Sequence, residues 1–265
     1  MLNPVQAVRT VGQGSVLAYA DFKAFYTWRT WLGGWLVRLL CQVAFFSLIG
    51  RMVGDSGYVA FVVVGAAMTI CASEPMQAVA STTWDRNFGT ISLLAASPVE
   101  PGFFYLGRSL QWPLSGTATT MIALLVMPPL FGLGWAAADL PVLLVLVLIT
   151  AFSSYCVAML FGAIALVAPG ARNVILNIVI SSTTCLTGAL VPVDFWPQPV
   201  QWAVQTIPLT HGLQAVRHWQ GDTGLGAVIG SASLTMLAGV AWFIVAFVAF
   251  RRIFAHSRQG TSLIA

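Results

Sequence analysis

Five stretches of this chain run without a single Asp, Glu, Lys or Arg: residues 56–73, 109–138, 140–171, 173–193 and 223–250. Each can supply the ~20 apolar residues that cross ~30 Å of hydrocarbon. A sixth stretch, about 31–50, is apolar except for Arg38. Charged residues make up 8% of the chain and hydrophobic residues 58%, where a soluble globular protein is roughly 25% charged. A compact soluble monomer would leave much of that apolar surface in water and aggregate. The chain is solvated by lipid.

The apolar runs are long and continuous, which favours helices over the ten-residue alternating strands of a membrane barrel. Helices also satisfy their own backbone groups in lipid. The expected fold is therefore all-α and polytopic, with six spans at about 31–51, 58–80, 111–133, 140–167, 173–191 and 225–250. An even count puts both termini on one side. With the N-terminus inside, the inner segments hold Arg9, Lys23, Arg29, Arg86, Arg108, Arg172, Arg251, Arg252 and Arg258, and the outer loops only Arg51 and Arg217. The positive-inside rule then makes both termini cytoplasmic, in a plasma (inner) membrane. The net charge of +4 reads as membrane orientation, with no nucleic-acid partner expected. The first 30 residues are too interrupted by charge to read as a signal peptide. Cys41, Cys71, Cys156 and Cys185 all fall in apolar segments, spaced for neither zinc nor a disulfide framework.

Three segments exceed what a simple bundle needs. Residues 15–30, SVLAYADFKAFYTWRT, interleave aromatics with Asp21, Lys23 and Arg29, a pattern suited to an amphipathic helix in the headgroup layer; Lys23, Tyr26 and Arg29 are its candidate interface residues. The loop between the second and third spans, within 81–110, carries charge, then an amphipathic run, then a Ser97-Pro98 stop. That reads as a short helix parallel to the membrane, either idle or docking into another protein. The segment 192–224 is broken by Pro192, Pro197, Pro199 and Pro208 and is rich in Trp. Two short helices dipping back into the outer leaflet would fit, as would an interfacial loop.

Taken in order, these segments resemble the membrane subunits of type-2 ABC exporters, over nearly the whole chain. The inner loop carries the pattern in Asp85-Arg86, Gly89-Thr90, Leu93-Leu94 and Ser97-Pro98, then Leu106-Gly107-Arg108. The second part runs from Thr187-Gly188 through Pro192, Trp196-Pro197 and the Ile-Pro-Leu-Thr at 207–210 to Arg217. Asn87-Phe88 and Ser92 depart from the family's usual charged residues. The resemblance implies one transmembrane domain over 1–265: an interface segment 1–30, five helices over 31–191 with the coupling loop 81–110, an outer hairpin 192–224, a sixth helix 225–250 and a tail 251–265. It also implies two ABC ATPase subunits per complex, a second copy of this permease or a homologous one, and surrounding lipid. Asp85, Arg86, Gly89, Thr90, Leu93, Leu94, Ser97 and Pro98 would couple to the ATPase. Gly188, Pro192, Trp196, Pro197 and Pro208 would form the outer gate.

The residue inventory argues against catalysis by the chain itself. Its single lysine, Lys23 in Phe-Lys-Ala, cannot complete a phosphate-binding GxxxxGK(S/T), so ATP and Mg belong to the partner and no cofactor is expected here. His211, His218 and His256 belong to no metal-ligand motif. Glu74, near the inner end of the second span, is expected to pair with a basic residue. Arg38 either snorkels or faces a wet cavity, and Gln42 lies one turn above it. With Phe45 and the hydroxyls Thr183 and Thr184 they form a candidate cavity for a hydrophobic or amphipathic substrate, drug or lipid-like. Polysaccharide or glycolipid export is the alternative in the same family, and a membrane-embedded lipid-modifying enzyme a further one.

Overall fold

The computed structural model describes residues 4–53, 56–87, 89–97 and 99–258, and every regular element among them is helical. Helix α1 (Pro4–Phe25) stops at Tyr26. Thr27 then starts α2 (Trp28–Thr30) with a reciprocal cap, its hydroxyl accepting from the Thr30 amide at 3.3 Å and the Thr30 hydroxyl accepting from the Thr27 amide at 3.0 Å. A π-helical turn, Trp31–Leu36, leads into α3 (Val37–Val53). Helix α4 (Ser56–Ser73) is interrupted by Glu74 and the 3-10 turn Pro75–Gln77, where proline removes a backbone donor, and resumes as α5 (Ala78–Asn87). Short helices α6 (Thr90–Ala96) and α7 (Pro101–Arg108) precede α8 (Gln111–Leu130) and α9 (Leu140–Val167). The chain continues with α10 (Arg172–Leu186), α11 (Gln198–Val204), α12 (Pro208–Gln220) and the long α13 (Leu225–Arg258).

Among the described residues, five helical runs are long and apolar enough to cross a membrane: Trp28–Val53, Gly57–Asp85, Pro101–Leu130, Ala137–Val167 and Leu225–Ser257. The remaining expected span, 173–191, forms only the 15-residue α10, about 22 Å at 1.5 Å per residue. Its ends nevertheless reach both ends of the second run. Arg172 donates to the Thr83 hydroxyl at 3.4 Å, and the Tyr58 hydroxyl donates to the Leu190 carbonyl at 3.2 Å. Residues 172–190 thus traverse the same thickness as 58–83, with the last few outside the helix. The hydroxyls near its end turn back on their own carbonyls, Thr183 to Val179 at 2.8 Å and Thr187 to Thr183 at 2.5 Å, a local bonding that competes with regular helix.

Two apolar cores stack along the bundle. One joins α3, α4, α8, α9 and α12; the other joins α7, α9 and α13 with α5, the Pro75–Gln77 turn and α6. The second run is mostly buried, whereas the first and last present largely exposed faces to lipid or to another subunit.

Helix α7 ties the second core together. The Tyr155 hydroxyl of α9 meets the Tyr105 and Leu106 carbonyls at 3.0 and 2.9 Å. The Tyr105 ring stacks on Phe250 of α13, centroids 4.8 Å apart. Ser109, just past α7, shares a 2.8 Å hydrogen bond with Ser81 of α5. Against α1 the approach is backbone on backbone: a Cβ at Gly14 would stand 2.7 Å from the Phe104 carbonyl oxygen, and one at Gly107 would overlap the Val11 carbonyl. The expected interface helix over 15–30 therefore begins earlier, at Pro4, and breaks at Tyr26, and one of its faces packs on α7. Its outward side still pairs an apolar stripe of Val5, Val8, Val16 and Tyr19 with neighbouring Gln6, Arg9 and Gln13.

Replacing Gly107 by Leu should therefore lower stability by about 1–3 kcal/mol through overpacking, read as a lower melting temperature and faster proteolysis at Arg9. The control Gly12→Ala, with nothing within 4 Å of its new Cβ, should melt at or above wild type. Unchanged melting of Gly107→Leu would contradict this packing.

Candidate functional site

Between α5 and α7 the chain makes a hook. Gly89 turns it with φ +70 in open space, a left-handed conformation that other residues adopt at a cost. The Thr90 hydroxyl donates back to the Asp85 carbonyl at 2.8 Å, closing the turn. At the far end the Ser97 hydroxyl donates to the Leu94 carbonyl at 2.8 Å. Pro98 lies outside the described residues, as does the side chain of Arg86. Helix α6 is two-sided: Ile91 is buried and Leu94 half-buried in the second core, while Leu93 is 72% exposed.

Asp85 does not belong to that outward face. It is 3% exposed, and one carboxylate oxygen accepts from Arg108 Nε at 3.2 Å and Nη2 at 3.1 Å. The same Nη2 also meets the Asp21 carboxylate of α1. Three helices, α1, α5 and α7, are thus pinned by one guanidinium between two carboxylates. The docking role expected of Asp85 is replaced by a bracing one, because its charge is spent inside the protein. Motif reading placed Asp85 in the right loop but could not see its partner 23 residues on, or Asp21 a further 64 back.

The interface candidates separate onto different pieces. Lys23 is exposed on α1 with its ammonium 4.7 Å over the Tyr19 ring, and Arg29 is exposed on α2 beside Trp28. Tyr26 turns inward, edge-on to Trp35 and Trp112 with ring centroids 5.8 and 6.4 Å away. Burial raises its hydroxyl pKa above the usual range, and the nearby Glu74 carboxylate adds to the effect.

At the opposite end, 198–220 folds back on itself as a helical hairpin of α11 and α12. Trp219 Nε1 donates to Asp139 at the start of α9, 3.2 Å away. The Thr206 carbonyl at the hairpin's turn accepts from Trp242 Nε1 at 2.8 Å, near the middle of the 34-residue α13. Prolines fall where pieces begin: Pro192 before a 3-10 turn, Pro197 before α11 and Pro208 at the start of α12. Gly188, with φ +87, makes the tight turn that leads in, and Trp196 sits half-buried, edge-on to Phe195. Arg217 locks the hairpin to the bundle. Its guanidinium lies 3.6 Å over the Phe61 ring and donates to the Phe61 and Ala189 carbonyls at 3.3 and 3.4 Å. Burial pulls its pKa down to about 10, which leaves it cationic at neutral pH. His211 and His218 stand apart as polar contacts, to the Gln205 carbonyl at 2.9 Å and the Thr223 hydroxyl at 3.0 Å.

The expected cavity is not assembled within one copy. Arg38 and Phe45 are exposed, Gln42 and Thr184 half-buried, and the buried Thr183 spends its hydroxyl on its own helix. A groove of about 570 Å³ lies elsewhere, between the α1–α2 elbow and the start of α8, walled by Tyr26, Trp28, Trp31, Leu114 and Ala118. Beside it Glu74 is buried without the basic partner expected for it; its carboxylate accepts from Trp35 Nε1 and lies within hydrogen-bonding reach of Ser115. The signal available in sequence was the acid itself, alone in an apolar run ahead of Pro75.

Stacked apolar cores and several helices of lipid-spanning length define a polytopic helical membrane protein. The family model described as ABC-2 type transporter matches residues 13–220, and the chain belongs to the ABC-2 type transporter family. No curated protein matches it. Membership makes it a membrane-embedded transport subunit, a permease, and implies ABC ATPase subunits as partners.

Removing Arg108 alone leaves two buried or half-buried carboxylates facing each other, so Arg108→Ala should cost about 3–5 kcal/mol, seen as a large drop in melting temperature. The neutral triple variant Asp21→Asn, Asp85→Asn, Arg108→Met should recover most of that loss. Wild-type melting of Arg108→Ala would contradict the bracing role.

Proposed function

We propose that the chain is the membrane-spanning subunit of an ATP-driven exporter in the plasma (inner) membrane, with both termini cytoplasmic. Two copies, or one copy and a homologous permease, pair with two ABC ATPase subunits, which hold the ATP and Mg. The cargo is a hydrophobic or amphipathic compound, drug-like or lipid-like, taken from the cytoplasm or the inner leaflet.

The observation that carries this reading is the two-sided hook. Leu93 stands out on a helix whose other side is sunk into the core, and whose base is braced to α1 and α7 through Arg108. In this mechanism α6 seats in a cleft of the ATPase. Closure of the ATPases on ATP displaces α6, and the displacement passes through α7 to α9 and α13, which contact it directly. A soft loop would absorb such a displacement; a helix tied at both ends passes it on. The mouth on that side closes, and the hairpin that Arg217 fastens to α4 gates the exit. The apolar walls of the groove beside α8 agree with a hydrophobic cargo. The exposed α3 and α13 faces supply surface for the second permease.

Leu93→Asp places a charge on the docking face, and Gly89→Val strains the turn that aims it. In the reconstituted complex both should cut substrate-stimulated ATP turnover and transport roughly tenfold or more, the loss expected of a strained or charge-blocked contact, while the permease still reaches the membrane folded. Turnover and transport at wild-type rates in both variants would overturn the coupling role.

A further inference from the structure

The groove and the buried acid beside it answer to one chemistry. Glu74 is 1% exposed. One of its oxygens accepts from Trp35 Nε1, and the other, Oε2, makes no hydrogen bond of its own, although the Ser115 hydroxyl lies within reach of the carboxylate. Gln111, on the groove wall, likewise keeps Oε1 buried and unpartnered. Ser115 and Tyr26 belong both to the groove wall and to the surroundings of Glu74, so one layer of side chains separates the carboxylate from the open space. At Gly116 the α8 backbone comes close enough that a Cβ would stand 3.0 Å from the Glu74 Cβ, which leaves the carboxylate no room to withdraw toward α8.

Two cations lie near Glu74 and the groove, and neither forms an ion pair with the acid, although the Arg38 charge acts on it from a distance. Arg38 is exposed and lies 4.7 Å over the face of the Trp35 ring, whose edge bonds the acid. Lys23 sits at the groove rim over Tyr19. Among the described residues the ion pairs are those of Arg108. A buried carboxylate without an ion pair is costly in an apolar medium, and with the buried Gln111 oxygen beside it the region behind the groove wall is one that a positive charge would stabilise. The aromatic walls of Tyr26 and Trp31 add rings of the kind that attract organic cations, while the Trp28 ring already carries the Arg29 guanidinium 5.3 Å from its centroid.

We propose that this groove binds lipophilic organic cations, the charge drawn toward Glu74 across the Tyr26 and Ser115 layer, with Gln111 adding its dipole, and the apolar body lying along Trp31, Leu114 and Ala118. This names a ligand class for the exporter proposed above. Binding requires no ATP, so it is tested apart from coupling: cation binding with undisturbed turnover in Leu93→Asp would sink the coupling reading and leave the site, and the converse holds.

The test uses the full chain in phosphatidylcholine nanodiscs, with radiolabelled tetraphenylphosphonium and the near-isosteric anion tetraphenylborate as probes. Tetraphenylphosphonium should bind saturably. Glu74→Gln should weaken it about tenfold or more, as expected for losing a charged partner. Ala118→Trp, which fills the groove from an exposed position and leaves Glu74 untouched, should weaken it similarly, and Lys23→Met should not weaken it. If Glu74→Gln fails to fold, Ala118→Trp decides. The proposal is overturned if tetraphenylphosphonium shows no saturable site, if folded Glu74→Gln or Ala118→Trp binds as wild type does, or if tetraphenylborate binds as tightly and is lost on Lys23→Met, which would mark an anion site.

Discussion

A single guanidinium, Arg108, holds the loop end of this protein together. Its side chain is 2% exposed and lies between Asp85 of α5 and Asp21 of α1. Ion pairs buried this deeply add little net stability over apolar packing, because the charges must first leave water. What they impose is geometry. Asp85 directly precedes the hook, so fastening its carboxylate fixes where α6 emerges, and Asp21 fastens α1 to the same point. Because α7 also bonds α9 through Tyr155 and stacks on α13 through Tyr105, the hook and the two longest spans form one connected body.

The hairpin end is built by a different device. Arg217 has no carboxylate partner among its described contacts and uses carbonyls and an aromatic face instead. Gly212 completes the fit, since a Cβ there would press on the Thr150 side chain of α9. The two ends thus have their own anchors, and α9, buried along much of its length between both cores, is the element they share. In the proposed cycle α9 is the direct route between hook and gate.

How much of this was legible in the sequence follows from which interactions are local. The spans could be read because charge exclusion acts residue by residue; α9 starts at Leu140, where the charge-free run begins, and ends at Val167, just ahead of Pro169. The breaks at Pro192, Pro197 and Pro208 could be read for a similar reason, since proline acts on its own backbone. The bracing of Asp85 could not, since its character depends on a partner brought near only by folding. The start of α1 at Pro4 was hidden because Gly12 and Gly14 look like helix breakers, whereas Gly14 is where α1 meets the α7 backbone. The cavity residues chosen for polarity in the first and fifth spans fall on separate surfaces. Glu74 was noticed as a lone acid, yet the tryptophan that bonds it, Trp35, is 39 residues away on another helix.

The central claim is that the face of α6 bearing Leu93 is where the motor grips. Cysteine cross-linking measures that contact directly: Leu93→Cys in the assembled complex, treated with a short bifunctional maleimide, against Phe195→Cys on the hairpin, which is as exposed. The account predicts a permease–ATPase adduct from position 93, strengthened or weakened by trapping the nucleotide state, and none from position 195. An adduct absent at 93 while neighbouring exposed positions outside α6 react with the ATPase would contradict it.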